Sequence, residues 1–271
     1  MIIFDTLQIS HNKELISLAY FVRPGSSQET LLYIHGLGCA KDDFLKAVDY
    51  DFLKKYTLFA FDWPGSGESS YPARSLNLTD IVEITELIFE KLNLNKSVVI
   101  GHSMGGVIAM LYSQKYSNNV QAFINVEGSL GPENAVSSVE ITKLGFEKFK
   151  NETFDKTKQD LKHSDNFGFR TYAEILNKTS ARAYFDYSLS HADFCQDQRL
   201  LAQFINLKMP KVFIYGSQHL LWQAYIPRLK QAKCSVVEIL DSHHFPQYDN
   251  PDFFYSTIAI FLKSTNEGGC I

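Results

Sequence analysis

The sequence predicts an α/β fold with a mostly parallel central sheet, and three observations support this. Short apolar segments of strand length alternate with longer amphipathic stretches, the pattern of crossover units that join parallel strands. The chain has 271 residues, enough for one or two domains with a sizeable core. Its composition, 45% hydrophobic and 21% charged, is that of a soluble globular protein and excludes an intrinsically disordered chain.

Six segments are predicted as buried strands because they are short, continuously apolar and rich in Val, Ile, Phe or Tyr. They are Thr30–Ile34, Thr57–Phe61, Ser97–Ile100, Val120–Val126, Lys211–Tyr215 and Ser235–Leu240. The N-terminal residues differ, because Leu7–Ile9 and Leu15–Phe21 flank a polar turn. We expect them to form an antiparallel hairpin at one edge of the sheet.

Between the strands, amphipathic stretches predict five core helices. They are Lys41–Lys55, Thr79–Leu92, Met104–Tyr116, Trp222–Ala232 and Asp252–Leu262. From Gly131 to Leu207 no strand is predicted, and charged residues mix with aromatic ones. Glu140–Lys150 and Ala173–Tyr184 are expected to be helices of this segment. We therefore expect an α/β core in two parts (1–130 and 208–265), a helical cap insertion (131–207) and a tail (266–271).

The net charge of −4 argues against nucleic acid or an anionic membrane as the main partner, because either would favour a basic face. No segment reaches the roughly 18 apolar residues of a membrane span, and the N-terminus lacks the basic start of a signal peptide. The cysteines share no zinc-like spacing and are predicted to be free thiols in a reducing compartment. They are Cys39, Cys195, Cys234 and Cys270. We expect a soluble cytoplasmic protein.

A Gly-x-Ser-x-Gly motif is the strongest chemical signal. It reads Gly101-His102-Ser103-Met104-Gly105 and stands between a predicted strand and a predicted helix. A sharp strand-to-helix turn exposes the Ser103 hydroxyl to a base, which a serine needs in order to act as a nucleophile. The glycines two residues to either side are expected because a Cβ there would clash in so tight a turn. Ser103 is therefore the predicted nucleophile.

Two glycine-containing loops follow earlier strands. In Tyr33-Ile34-His35-Gly36-Leu37-Gly38, the backbone N–H of Leu37 is expected to face the serine and, with the N–H of Met104, to form an oxyanion hole. The second loop, Asp62-Trp63-Pro64-Gly65-Ser66-Gly67, is predicted to be structural, with Asp62 fixing it through hydrogen bonds. It lacks the GxGxxG spacing and the following Lys of a phosphate-binding loop.

With these three motifs in order, the chain resembles the α/β-hydrolase family over nearly its whole length. The resemblance implies an α/β-hydrolase fold and a catalytic histidine after the last strand, where the chain reads Ser242-His243-His244-Phe245-Pro246. In this register His244 is the base, and His243 stands where the family commonly has a glycine. His243 is the alternative base. A serine at the turn argues against dehalogenase and epoxide hydrolase activity, which in this fold need an aspartate nucleophile.

The acid departs from the family's usual pattern. Most members carry it after the strand that here ends at Tyr215, but this chain has Gly216-Ser217-Gln218-His219 there, and an imidazole cannot replace the carboxylate that orients the base. Some members place the acid after the preceding strand, and here that position is Glu127. We therefore predict Glu127 as the acid. Asp241, Asp249 and an inactive site without an acid are the alternatives.

Together the motifs and the resemblance predict a serine hydrolase that cleaves a carboxylic ester with an apolar acyl or alcohol group. Ser103 would attack the carbonyl, His244 would take its proton, Glu127 would orient His244, and water would hydrolyse the acyl-enzyme. The expected partner is a small-molecule ester, and no metal or cofactor is implied. Thioesterase, lactonase or carbon–carbon bond hydrolase activity, and a non-catalytic ligand-binding protein, are the alternatives. Four further residues are predicted to bind substrate: His35, Gly36, His102 and His219.

Overall fold

The computed structural model describes residues 1–94 and 96–267, and in that part of the chain eight strands form one sheet. The strands are β1 (Ile3–His11), β2 (Glu14–Arg23), β3 (Thr30–Ile34), β4 (Thr57–Phe61), β5 (Ser97–His102), β6 (Val120–Val126), β7 (Lys211–Gly216) and β8 (Ser235–Ile239). Their order across the sheet is β1-β2-β4-β3-β5-β6-β7-β8. The β1–β2 and β2–β4 pairs are antiparallel and the other pairs are parallel. The predicted mostly parallel α/β architecture is confirmed.

The N-terminal hairpin is longer than predicted. Strands β1 and β2 pair from Ile3 opposite Val22 to His11 opposite Glu14. Strand β1 lies at the edge of the sheet and most of its residues are exposed. Its side chains therefore lack the continuous apolar pattern that marks the buried strands in the sequence.

The helices connect the strands and cover both faces of the sheet. The α-helices are α1 (Leu78–Lys91), α2 (Met104–Lys115), α3 (Val136–Leu144), α4 (Phe146–Lys148), α5 (Phe154–Lys162), α6 (Phe167–Leu176), α7 (Ala181–Phe194), α8 (Arg199–Asn206), α9 (Ile226–Gln231), α10 (Pro246–Asp249) and α11 (Pro251–Asn266). Shorter turns are 3-10 helices at Lys41–Asp49, Asp51–Leu53, Ser117–Asn119, Pro132–Asn134 and Leu220–Trp222, and a π-helical turn at Phe149–Thr153.

Two of the predicted core helices are wrong in type or extent. The segment Lys41–Lys55 forms 3-10 helices, with Lys41, Phe44 and Ala47 all buried. A spacing of three fits the three residues per turn of a 3-10 helix, which the sequence pattern does not separate from an α-helix. In the predicted helix Trp222–Ala232, only Ile226–Gln231 is α-helical, because Pro227 has no N–H to continue a helix from residues before it.

Alternate residues of the buried strands enter two separate apolar clusters, one on each face of the sheet. In β3, Leu32 packs in the cluster that includes residues of α1 and α2. The preceding Leu31 packs in the cluster that includes the 3-10 helix Lys41–Asp49 and α11. Since both faces are covered in this way, the carboxyl edge of the parallel strands is the place where polar side chains can gather.

Between β6 and β7 the described chain forms helices α3 to α8 and no strand. The predicted helices Glu140–Lys150 and Ala173–Tyr184 both run across breaks. Gly145, with a φ of +75°, ends α3, and residues 177–180 separate α6 from α7. Aromatic residues continue on both sides of each break, so periodicity alone does not reveal it. The buried apolar cluster of this segment is formed by Phe149, Phe154, Leu176, Tyr184 and Phe185.

Helix α11 packs along the sheet at the end of the described chain. Its 16 residues end at Asn266, and the remaining positions of the expected tail, 268–271, lie outside the described residues. Its buried residues, among them Phe254 and Ile258, belong to one of the two apolar clusters. Among the described residues, no helix combines the length and the apolarity needed to cross a bilayer.

The loop after β4 is organised by the buried carboxylate of Asp62, as predicted. Asp62 accepts hydrogen bonds from the Lys41 backbone N–H (2.7 Å) and ammonium (3.0 Å) and from the Glu68 N–H (2.9 Å). The Asp62 carbonyl also accepts from the Ser69 hydroxyl at 2.8 Å. These bonds join the loop after β4 to the start of the 3-10 helix Lys41–Asp49. They therefore hold one end of the loop that contains Leu37.

We expect Gly67→Ala to destabilise the protein much more than Gly145→Ala. Both glycines have positive φ (54° and 75°), so alanine is strained at either position. A Cβ on Gly67 would lie 2.2 Å from the Asp62 carboxylate, whereas a Cβ on Gly145 meets no atom within 4 Å. The free energy of unfolding, measured in urea, should fall by about 1 kcal/mol for Gly145→Ala and by about 3 kcal/mol or more for Gly67→Ala. Equal losses would contradict a role for the Asp62 contacts.

Candidate active site

Ser103 occupies the sharp turn between β5 and α2. Its φ and ψ are 55° and −126°, a conformation that costs a residue other than glycine about 1–3 kcal/mol. The Ser103 N–H donates to the Val126 carbonyl at 2.9 Å, which ties the turn to the end of β6. A Cβ on Gly105 would lie 2.2 Å from the His35 carbonyl oxygen, and one on Gly101 would lie 2.4 Å from the Gly105 carbonyl oxygen. Both glycines are therefore required by close backbone approach, as the motif predicted.

The structure brings the residues predicted as nucleophile, base and acid together. The His244 Nε2 lies 3.0 Å from the Ser103 Oγ, and the His244 Nδ1 lies 3.1 Å from the Glu127 Oε2. Ser103, Glu127 and His244 follow β5, β6 and β8, whose carboxyl ends share one edge of the sheet. The two contacts are within the reach expected for a serine, its base and the group that orients the base.

Glu127 has no exposed surface and accepts hydrogen bonds from four donors. The Gly216 N–H donates to Oε1 at 2.6 Å, and Oε2 accepts from His219 Nδ1 and Trp222 Nε1 as well as from His244. A ring nitrogen that donates to a carboxylate must carry a hydrogen, so the His219 ring has a hydrogen on Nδ1. A buried carboxylate is tolerated only where donors surround it in this way.

The pKa values of the acid and the base follow from this arrangement. Burial alone would raise the pKa of Glu127, but hydrogen bonds from His219 and His244 outweigh it and hold that pKa below its usual value. Burial lowers the pKa of His244, and the Glu127 carboxylate offsets this effect only in part. At neutral pH Glu127 is therefore ionised and His244 is neutral, the states that a carboxylate acceptor and a general base require.

The alternative base and acids lie elsewhere. The His243 ring packs near Phe169, with 6.2 Å between ring centroids, whereas His244 faces Ser103. Asp241 is exposed, and with a φ of 52° it lies in the turn before His244. Within the described part of the chain, neither Asp241 nor Asp249 forms a hydrogen bond with His244. The geometry thus favours His244 and Glu127 over these alternatives.

Asp249 ties the loop after β8 to helix α6. Its Oδ2 accepts from the His243 N–H at 2.9 Å, and its Oδ1 accepts from the Asn166 side-chain amide and the Gly168 N–H, both at 3.1 Å. Asn166 is the residue that caps the start of α6. One carboxylate therefore fixes the position of α6 relative to the backbone beside His244.

The loop after β3 passes directly beside Ser103. A Cβ added to Gly36 would lie 3.1 Å from the Ser103 Cβ, so Gly36 leaves the space that this approach needs. The Tyr172 hydroxyl donates to the Leu37 carbonyl at 3.0 Å and holds that peptide in place. Met104 is the first residue of α2, so its N–H has no acceptor within its own helix.

His35 was predicted to bind substrate, but both of its ring nitrogens are engaged in other hydrogen bonds. The Trp63 N–H donates to His35 Nε2 at 3.1 Å, so the ring hydrogen is on Nδ1 and donates to the Gly36 carbonyl at 2.8 Å. Burial lowers the pKa of His35 to about 3, which keeps the ring neutral. The His35 ring thus supports the loop through both of its nitrogens. Gly36 leaves space for the close approach of Ser103, and neither His35 nor Gly36 lines the cavity.

A cavity of about 260 Å³ lies in front of Ser103 and His244. Two of the residues predicted to bind substrate, His102 and His219, are in its wall. Its largely apolar wall is formed by Leu37, Phe169, Tyr172, Tyr184, Leu221, Trp222 and Phe245. Its polar wall includes Ser129, Asn134, Ser137, Ser138 and His191.

Two important residues of this region were not predicted. His191 is buried in the cavity wall, where its two ring nitrogens lie 2.8 Å from the Ser138 hydroxyl and 2.9 Å from the Ser129 hydroxyl. Helical periodicity could have predicted that His191 is buried, because it lies seven residues, about two turns, after the buried Tyr184 on α7. For Trp222, which donates to Glu127, the sequence pattern carries no such signal.

Two groups of described residues could supply the donors for a metal ion. In the first, Glu127, His219 and His244 are already hydrogen-bonded to one another, which satisfies their donor atoms. The second consists of Cys39, which lies in the loop after β3, together with Asp43 and His102. Cys39, Cys195 and Cys234 are free thiols, as predicted, and Cys270 lies outside the described residues.

We expect Ser103→Gly to be more stable than Ser103→Ala. Both variants remove the hydroxyl, but only glycine relieves the strain of the positive φ at this turn. After allowing for the greater flexibility of glycine in the unfolded chain, the free energy of unfolding should differ by about 1 kcal/mol. Urea denaturation of the two variants measures this difference. A more stable alanine variant would mean that the turn is unstrained.

Comparison with known proteins agrees with this fold. The family model for the alpha/beta hydrolase fold matches residues 29–251. A Mycoplasma pneumoniae protein named "Putative esterase/lipase 2" is 26% identical over 256 residues, covering 89% of this chain and 92% of its own.

Among solved structures, an esterase from Thermogutta terrifontis has a TM-score of 0.82 at 16% identity, covering 96% of this chain and 99% of its own. A carboxylesterase of Nitrososphaera gargenis has a TM-score of 0.81 at 17% identity, covering 97% of this chain and 100% of its own. The family model spans most of the sequence and the same architecture recurs in these structures, so the chain belongs to the alpha/beta hydrolase fold family.

Proposed function

We propose that the protein is a serine hydrolase that cleaves carboxylic esters of small substrates through an acyl-enzyme. The observation that carries this proposal is the continuous hydrogen-bonded chain from Ser103 through His244 to Glu127, which opens on a cavity. The names of the Mycoplasma pneumoniae relative and of the two solved structures, all of which refer to esterases, support the same reaction class.

In the first half of the reaction, the Ser103 oxygen attacks the ester carbonyl and its proton passes to His244 Nε2. The bond to the alcohol then breaks, and His244 returns the proton to the departing alkoxide. Glu127 keeps the hydrogen of neutral His244 on Nδ1, which leaves Nε2 free to accept, and stabilises the ring when it is charged. In the second half, water takes the place of the alcohol and the acid is released.

The proposed oxyanion hole consists of the N–H groups of Leu37 and Met104. Both residues line the cavity beside Ser103, and the Met104 N–H stands at the N-terminus of α2, where the helix dipole favours a negative charge. Preorganised donors of this kind are worth most where charge develops in the transition state.

The size and wall of the cavity favour a small ester. A volume of about 260 Å³ is below the range of roughly 300–1,000 Å³ in which drug-sized ligands are bound. The aromatic side chains of Tyr172, Tyr184 and Phe245 favour an apolar acyl or alcohol group. His102 and His219 line the cavity and are the proposed substrate contacts among its histidines. We therefore expect short acyl chains to be cleaved faster than long ones.

We expect hydrolysis of p-nitrophenyl acetate and butyrate to depend on Ser103 and Glu127. Ser103→Ala should lower kcat by about 10⁴-fold or more, and Glu127→Gln by about 10³- to 10⁴-fold, because the base loses its orientation and its counter-charge. Asp241→Asn is the matched control and should change kcat less than about threefold, because Asp241 is exposed and outside the hydrogen-bonded chain.

A larger effect of Asp241→Asn than of Glu127→Gln would show that the acid is wrongly assigned. Covalent labelling by a fluorophosphonate tests the nucleophile separately, since it requires an activated serine. If Ser103 is not labelled and no ester is cleaved, the protein is a ligand-binding relative and the proposal fails. Cleavage of thioesters, lactones or diketones in place of esters would keep the mechanism and change the substrate.

The pH dependence of kcat/KM should report the ionisation of His244. The rate falls as the pH is lowered through the pKa of this base, and burial places that pKa below the usual value of about 6.5. The midpoint of the acid limb should therefore lie below about pH 6.5. In Glu127→Gln it should move lower still, because the carboxylate that favours the protonated ring is lost. A midpoint that rises in this variant would contradict the contact.

A further inference from the structure

A second group of buried ionisable side chains lies on the Nδ1 side of His102. The Cys39 Sγ, an Asp43 carboxylate oxygen and the His102 Nδ1 all lie within 4.8 Å of one another. Each of the three residues is at most 2% exposed. They come from the loop after β3, the following 3-10 helix and the end of β5, so the fold itself places them together.

Two atoms of this group lack a partner in the described part of the chain. They are the Asp43 Oδ2 and the His102 Nδ1, and both are buried. Unpartnered buried acceptors are rare in folded proteins, and a bound ion is one of the explanations for them. Both are electron-pair donors in one cluster, and a bound cation would satisfy both of them.

The other polar atoms of the same two side chains are already held. His102 Nε2 donates to the His244 carbonyl at 2.7 Å, which places the ring hydrogen on Nε2 and leaves a free lone pair on Nδ1. The Tyr248 hydroxyl donates to Asp43 Oδ1 at 2.8 Å and leaves Oδ2 free. Metal-binding histidines and carboxylates are oriented by hydrogen bonds of this kind from their second polar atom.

The charge balance also calls for a cation. Among the described ion pairs, none involves Asp43, and the nearby Lys41 is bound to Asp62 and Glu68. Besides the Tyr248 hydroxyl, the neighbour of this carboxylate is the Cys39 thiol, a weak and uncharged donor. A divalent cation would supply a positive charge and favour the ionised carboxylate and thiolate.

We propose that Cys39, Asp43 and His102 form a zinc-binding site in the wall of the Ser103 cavity. A thiolate, an imidazole and a carboxylate together suit Zn²⁺ better than Mg²⁺ or Ca²⁺, which prefer oxygen ligands alone. Binding releases the Cys39 thiol proton to solvent, and the metal takes an electron pair from each donor. The donors lie within 4.8 Å of one another, and tetrahedral zinc bonds of about 2.0–2.3 Å would draw them closer on binding. Since Cys39 and His102 line the cavity, the fourth position faces it.

Cobalt tests this site without any measurement of activity. The full-length protein, stripped with a chelator, is titrated with Co²⁺, which takes the place of Zn²⁺ and absorbs light. We expect one equivalent to produce a near-ultraviolet sulfur-to-cobalt band and the visible bands of a tetrahedral ion, and one equivalent of Zn²⁺ to abolish them. Asp43→Asn should weaken Co²⁺ binding at least about tenfold.

The cysteines provide the matched controls. The triple variant Cys195→Ser, Cys234→Ser, Cys270→Ser retains Cys39 as its sole cysteine and should keep the sulfur band, whereas Cys39→Ser should lose it. Circular dichroism establishes that each variant is folded, and the wild-type and triple-variant titrations decide the question even if Cys39→Ser does not fold. Absence of the sulfur band from wild type or from the folded triple variant overturns the proposal. Cobalt bands without sulfur character would assign the ion to Glu127, His219 and His244 and would also overturn it.

Discussion

Burial of the Glu127 carboxylate governs how the loops at the carboxyl edge of the sheet are arranged. A charge without exposed surface is stable only where donors surround it. Here those donors come from the end of β7, from the turn that holds His219 and Trp222, and from the loop after β8. Each loop must close around the same group, and the position of His244 beside Ser103 is a consequence of that closure.

The unusual histidine at position 219 is explained by the adjacency of β6 and β7. Glu127 follows β6 and reaches across the end of β7 to His244, which follows β8. His219 stands after β7, where the family usually has its acid, and here it donates to Glu127. The two imidazole rings then share one oxygen, with 4.9 Å between ring centroids. Burial is the main cause of the lowered pKa of His244, and the adjacent His219 ring adds to that effect.

Prediction from sequence worked where local pattern and tertiary structure depend on the same physics. The strand Val120–Val126 is apolar because both of its faces are covered, so its bounds and the position of Glu127 directly after it were predicted from sequence. Prediction failed where the deciding contact is distant in the sequence. No local feature places the Trp222 indole against Glu127, or binds the His35 ring to the Trp63 backbone. The 3-10 helix Lys41–Asp49 was misread because its apolar spacing also fits an α-helix.

Asp249 connects helix α6, which forms part of the cavity wall, with the loop that holds His244. Helix α6 contributes Phe169 and Tyr172 to the cavity wall, and the same helix begins at the two groups that Asp249 Oδ1 accepts from. A displacement of α6 that widened the cavity would break those bonds and leave Asp249 anchored only to the backbone of His243, beside His244. The wall of the cavity formed by α6 and the order of the loop that holds His244 therefore depend on one and the same carboxylate.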